Sequence, residues 1–331
     1  MKIMVYEARP DERADLEKQA ALHGVELSVT DAVPTLENAS LAAGCIGVSI
    51  LGQGCIDAAL LDAYHALGIR YLSTRTIGYD HIDLDHARSI GLRVCSASYA
   101  PNGVADFTVM MILMCLRHYK QALWRGQVND FSLTGLQGRE MKDLTIGIIG
   151  TGRIGAQVAR NLSGFGCRIL AYDLRRNPAV EPQVTYVDFD TLLAQSDVIT
   201  LHMPLLDSNR HIINRESIAK MRDGVVIVNC SRGELADIEA LIEGIETGKI
   251  GALGMDTVEG DEGIIHADHR VDILPNRNWF YLHQFHNVIM TQHMAFYTDA
   301  AVSSMVDCGI GGICQMAAGE SCPTELTGPV Q

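Results

Sequence analysis

An arginine in "NCSRGE", a run of carboxylates in "DTVEGDE" and a histidine in "TQHMAF" each stand directly after a short apolar run. If those runs are parallel strands, the residues just past their carboxyl ends line one crevice, because that is where ligands sit in open α/β sheets. Arg232, the stretch from Asp256 to Glu262, and His293 then share it. A guanidinium presents a fork of donors that matches a planar carboxylate. An imidazole titrates near neutrality and can hand a proton to a developing alkoxide, and a carboxylate beside it raises its pKa and holds its tautomer. Together these groups meet the needs of hydride reduction of a 2-oxo acid. Taken singly, each has a plainer explanation. Arg232 can pair with Glu234, the acidic run can be a solvated loop, and a histidine behind an apolar run is more often structural; it is their joint placement that favours chemistry.

The sequence also offers a place for the hydride donor. "GTGRIG", Gly150 to Gly155, follows one apolar run and opens a helical pattern, the context in which G-x-G-x-x-G indicates a dinucleotide. Gly150 permits the tight turn, Gly152 lets a pyrophosphate approach the backbone, and Gly155 lets helix and strand pack closely. The helix N-terminus offers N–H groups to the phosphates, with Arg153 as an added contact. Asp173, at the end of the next run, suits a ribose 2′-hydroxyl and repels a 2′-phosphate, which points to NAD; Arg175 and Arg176 soften that preference.

The elements that must position these residues read as two wound α/β units. The runs at 3–6, 25–29, 46–50, 70–74 and 92–96 alternate with helical patterns, and those at 144–150, 167–173, 197–202, 224–229, 250–256 and 287–290 do so again. Several are apolar throughout, as strands covered on both faces are. Pro101 opens a helix that the pattern carries to about Tyr119, bridging the units. The Gly-rich tail from Gly309 to Gln331 is expected to fray.

Composition narrows the possibilities. The chain has 331 residues, 47% hydrophobic and 20% charged, enough for two cores. A net charge of −14 disfavours nucleic acid and anionic membrane. Nine cysteines without C-x-x-C spacing suit reduced thiols in the cytoplasm, and no secretory signal is visible. The pairs His266/His269 and His283/His286 lack partners for a full ligand set, so no metal is expected.

From about Val25 to Asp307, "YLSTRTIGYDHID", "YAPNGVADFTVMMILM", "GREMKDLTIG", "NCSRGEL", "MDTVEGDEG" and "HMAFYT" together resemble the D-2-hydroxyacid dehydrogenases, closest to the D-lactate dehydrogenase branch that includes the vancomycin-resistance enzymes. The resemblance implies two Rossmann-like or flavodoxin-like doubly wound parallel-sheet domains with a cleft between them. The substrate-binding domain would comprise residues 1–100 and 297–331, the NAD-binding domain 101–296. It implies Arg232 as carboxylate clamp and His293 as acid/base, with N–H groups at Ile77 and Gly78 on the carboxylate and Tyr99 and Phe296 lining the pocket. Cofactor contacts carry over to Arg153, Ile154, Asp173, Met203, Pro204, Asn209, Cys230, Ser231 and Asp256. A homodimer is implied, with the helix after Pro101 near its interface.

Two positions depart from that pattern. Where the family usually has the glutamate that pairs with the histidine stands Asp261, one methylene shorter and followed by Glu262; Asp261 is the better match in register. Gln292 stands in place of a proline before the histidine. Pyruvate is the first substrate expected, with phenylpyruvate, 4-methyl-2-oxopentanoate and 2-oxoglutarate as alternatives. A non-catalytic NAD-sensing protein needs only the glycine loop and Asp173. A formate dehydrogenase needs no acid at His293, and a phosphoglycerate dehydrogenase with a regulatory extension does not suit a chain that ends soon after its last helix.

Overall fold

The computed structural model describes residues 1–274 and 276–328. The chain divides into two compact units, Met1–Ala100 with Tyr297–Gln331, and Pro101–Phe296.

In the first unit, strands β1 (Lys2–Val5), β2 (Glu26–Val29), β3 (Gly47–Ile50), β4 (Tyr71–Thr74) and β5 (Arg93–Cys95) form a parallel sheet in the order β2-β1-β3-β4-β5. Helices α1 (Arg13–His23), α2 (Ala58–Ala66) and α3 (Leu84–Ser89) make the crossovers. Asp57 and Asp83 cap the last two, each accepting from an N–H three residues on. Tyr6, Val48, Ile50, Leu61, Tyr64 and Leu72 fill one core, and Ile3, Val5, Ile310 and Ile313 another.

In the second unit, α4 (Asn102–Leu116) and α5 (Tyr119–Gln127) precede β6 (Thr145–Ile149), α6 (Arg153–Ser163), β7 (Arg168–Tyr172), β8 (Thr185–Tyr186), α7 (Phe189–Gln195) and β9 (Val198–Leu201). Then come α8 (Arg215–Lys220), β10 (Val225–Asn229), α9 (Ile238–Glu246), β11 (Ile250–Met255), α10 (Arg277–Gln284) and β12 (Val288–Met290). The seven strands are parallel in the order β12-β11-β10-β9-β6-β7-β8. β6, β9 and β10 are buried at every position, in keeping with their nearly continuous apolar runs. Strand order reverses between β6 and β9, the switch point at which such sheets bind ligands.

Two expectations are corrected. The helix from Pro101 stops at Leu116; His118, in left-handed conformation (φ 51), turns the chain into α5. The tail does not fray from Gly309. Residues Asp299–Ala317 form a helix, α11, whose glycines are sites of close approach: a Cβ on Gly309 would lie 2.8 Å from Arg75 Cγ, and one on Gly312 2.6 Å from Cys95 Sγ. Beyond α11, Glu325 bridges to Cys95 in the sheet and accepts from Arg93 at 2.8 and 2.6 Å; residues 329–331 lie outside the described residues. α11 is also long and apolar enough to cross a membrane by length and composition, but its apolar face is part of the first unit's core.

Candidate active site

The glycine loop lies at the carboxyl end of β6. A Cβ on Gly155 would fall 1.9 Å from the Gly150 carbonyl oxygen, and one on Gly150 2.6 Å from that of His202, so neither position admits a side chain. Around a Cβ on Gly152 there is open space, and α6 begins directly after it, with glycine in place of a capping side chain. A helix start of this kind suits an anion such as a pyrophosphate, and Arg153 and Ile154 stand on its first turn. His202 floors the loop. It is buried, its Nε2 meets Thr200 Oγ1 at 2.9 Å, and burial pushes its pKa down to about 3, so it stays neutral. Sequence reasoning passed it over because it continues the apolar strand.

Asp173 follows β7 directly and ties the glycine loop to it. Oδ2 accepts from the Thr151 N–H at 2.6 Å and hydroxyl at 3.1 Å, and Oδ1 accepts from the Arg175 N–H at 2.9 Å. The Tyr186 hydroxyl, from a two-residue strand with no readable period, donates to Thr151 Oγ1 at 2.8 Å, and Arg176 lies over the Tyr186 ring at 5.5 Å.

The loops after β9 and β10 are bound to each other. The Ser231 hydroxyl donates to the Met203 carbonyl at 2.7 Å; Asn209 closes its own loop, accepting from the Leu206 N–H and donating to Pro204 O, both at 2.8 Å. Cys230 is buried, and burial raises its thiol well above the ordinary range, which leaves it unreactive.

Arg232 follows β10. Asn229 donates to its carbonyl at 2.7 Å, and its own guanidinium donates to Ser231 O at 3.0 Å. The next residue must be glycine, since a Cβ on Gly233 would lie 2.3 Å from the Val258 carbonyl carbon. The arginine loop therefore abuts the acidic loop that follows β11. Glu234 faces Arg210 at 4.0 Å, and Glu259 meets His211 at 2.6 Å.

Asp256 is almost fully buried and braces the histidine loop: it accepts from the Thr291 hydroxyl at 2.6 Å and from the N–H groups of Met294 and Ala295 at 2.9 and 2.8 Å. His293, thus held, takes φ 52, the left-handed region. Its ring meets Phe296 edge-on with centroids 6.3 Å apart. Asp261 is half-buried and accepts from the Val258 N–H at 3.2 Å. Burial pushes its pKa up to about 6; the Val258 N–H and Arg232 oppose that shift, while Glu262 and Glu234 add to it. Glu262 is exposed. In the other unit, Ile77 and Gly78 follow β4 and Tyr99 follows β5. Among the described residues no cluster fit for a metal ion occurs.

The raised Asp261 pKa makes a stability prediction. Folded Asp261 keeps its proton to about pH 6, whereas the unfolded chain releases it near 3.8, so stability falls as pH rises through that window and the deficit persists above it. Asp261→Asn is expected to stabilise the fold at pH 8 by roughly 1–2 kcal/mol, after discounting for screening by water, and to have no such effect at pH 3.5. Thermal melts of both proteins at the two pH values check this; equal gains at both would remove the electrostatic account.

Comparison with known proteins agrees with this geometry. Residues 109–295 match the family described as "D-isomer specific 2-hydroxyacid dehydrogenase, NAD binding domain". An "Aromatic 2-oxoacid reductase" of Clostridium sporogenes is 42% identical over 311 residues, 93% of each chain. The D-lactate dehydrogenase of Escherichia coli is 37% identical over 328 residues, 98% of this chain and 100% of that one. The NAD-complexed D-isomer specific 2-hydroxyacid dehydrogenase of Lactobacillus delbrueckii ssp. bulgaricus superposes with TM-score 0.85 at 30% identity, covering 98% and 100% of the two chains. The chain belongs to the D-isomer specific 2-hydroxyacid dehydrogenases and is an NAD-dependent oxidoreductase.

Proposed function

We propose that the protein reduces a 2-oxo acid to the (R)-2-hydroxy acid, with Arg232 clamping the carboxylate and His293 protonating the carbonyl oxygen. The observation that carries this reading is the placement of the glycine loop, Arg232 and the braced His293 at the carboxyl ends of strands in one parallel sheet. Gly150–Gly155, Asp173 and the loops of Met203, Pro204, Asn209, Cys230 and Ser231 would hold NADH, which would supply the hydride to C2 of the 2-oxo acid and become NAD+. Arg232 orients the carbonyl and draws electron density toward its oxygen. His293 delivers its proton there and takes it back in the oxidation; Asp261, when ionised, supports the imidazolium. Ile77, Gly78, Tyr99 and Phe296 are assigned to the substrate on the resemblance.

A bulky aromatic 2-oxo acid such as phenylpyruvate is the leading substrate, favoured by the reductase at 42% identity. Pyruvate is the second reading, favoured by the D-lactate dehydrogenase at 37%. NADH oxidation at neutral pH against a panel of 2-oxo acids, with NADPH alongside and the product's handedness determined, separates them. Faster turnover of phenylpyruvate than of pyruvate is expected; the reverse order makes it a lactate-forming enzyme, and an (S)-product defeats the reading.

The same proposal places the enzyme in the reducing cytoplasm, where its nine free thiols persist, and makes it a homodimer. Supporting the dimer, α5 and the segment after it expose Leu123, Trp124, Val128, Phe131 (79% exposed) and Leu133 (84%), large apolar side chains that an interface would cover. Light scattering is expected to give twice the chain mass, and Trp124→Glu with Leu133→Glu to halve it.

A further inference from the structure

A second histidine stands beside the acid/base histidine. After Asp261, N–H groups of Ile264 and Ile265 donate to the Asp261 carbonyl at 3.0 and 3.2 Å, and the turn they close presents His266. The His266 Nε2 lies 3.3 Å from the carbonyl oxygen of His293, and the two rings are 6.2 Å apart, both set against Phe296. Since a carbonyl can only accept, His266 donates from Nε2–H. Further along the loop Asp268 pairs with Arg270 at 2.7 Å, and His269 meets Asp272 at 2.8 Å.

The contact falls on one peptide unit. The C=O of His293 is held by His266, and the N–H of the same peptide, on Met294, is held by Asp256 at 2.9 Å. His293 is left-handed at φ 52, a conformation that non-glycine residues keep only when their surroundings enforce it. Gripped at both polar groups, that peptide plane resists rotation, and the direction in which the imidazole leaves the backbone is fixed with it. We propose that His266 is a positioning residue for His293, acting through its Nε2–H on the main-chain carbonyl. The inference rests on His293 being the acid/base group.

Three variants test it. His266→Phe keeps the ring and loses the donor, His266→Gln restores a donor at similar reach, and His266→Ala removes both. Phe and Gln share the cost of the left-handed backbone at 266 (φ 62), so their comparison isolates the hydrogen bond. His266→Phe and His266→Ala are expected to lose about tenfold in kcat with little change in KM, and His266→Gln to recover most of it, because small misplacements of a catalytic group cost rate rather than binding. The second readout needs no turnover. The His293 Cε1–H resonance, identified by its absence in His293→Asn, is expected to move in His266→Phe and to hold its place in His266→Gln. Equal kcat and an unmoved His293 resonance in the Phe and Gln variants overturn the positioning role. If the unmodified enzyme turns over no 2-oxo acid, the acid/base assignment fails, and the resonance comparison alone decides whether His266 holds His293.

Discussion

His293→Asn is expected to lower kcat for 2-oxo acid reduction by on the order of 10²–10⁴-fold, the usual contribution of a general acid. NADH affinity, measured by fluorescence titration, is expected to stay near that of the parent. Asparagine is chosen because it tolerates the left-handed backbone (φ 52) that His293 occupies, so the loop is not asked to rearrange. Asp256 goes on accepting from Thr291, Met294 and Ala295, since none of those bonds uses the imidazole. The variant therefore removes the imidazole and leaves the main-chain bonds that hold its loop. Turnover close to the parent's would show that the proton reaches the carbonyl oxygen by another route.

The second large effect concerns stability. Glu12→Gln or Arg75→Met is expected to cost about 3–5 kcal/mol, because either change leaves one charge buried without its partner. Both side chains are fully buried. Arg75 donates to the two Glu12 oxygens at 3.0 and 3.3 Å, to Tyr6 O at 2.9 Å and to Ser49 Oγ at 3.2 Å, and the Arg9 N–H donates to Glu12 at 2.9 Å. The double change Glu12→Leu with Arg75→Met is expected to be much milder than the sum of the single changes, as a residual apolar pair leaves no orphaned charge. Denaturant unfolding of the four proteins checks this. Strict additivity would mean that the two groups act separately.

Both sheets were legible from short apolar or β-branched runs between helical patterns, clearest where strands are covered on two faces and nearly continuous in apolar residues, at 145–149, 198–201 and 225–229. β8 was not, since two residues carry no period. The stop at Leu116 lies in the left-handed turn at His118, which the residue type does not announce. The glycines of α11 read as a fraying tail, but they are the places where helix and sheet come closest, and closeness is a relation between distant segments. At the site, the glycine loop was readable because its function depends on main-chain geometry that only glycine permits. Asp256 shows the limit. The resemblance assigned it to the cofactor; three hydrogen bonds from residues 291–295, some 35 positions onward, add that it braces the histidine loop, a relation between distant segments that local sequence does not carry.

The two arginines make the division plain. Arg75 follows the buried strand Tyr71–Thr74, and Arg232 comes shortly after Val225–Asn229, also buried. By sequence alone each is a cation past the carboxyl end of a parallel strand, equally suited to gripping a carboxylate. In the folded chain α1 is preceded by Glu12, which supplies a buried carboxylate to Arg75 and fixes it as part of the core. Arg232 stands in a half-buried loop held by Asn229 and Ser231, beside the half-buried Asp261. Local sequence determined where each guanidinium emerges from its sheet. For Arg75 the tertiary structure made the decision by bringing Glu12 to it, because a buried charge must be neutralised from within the protein.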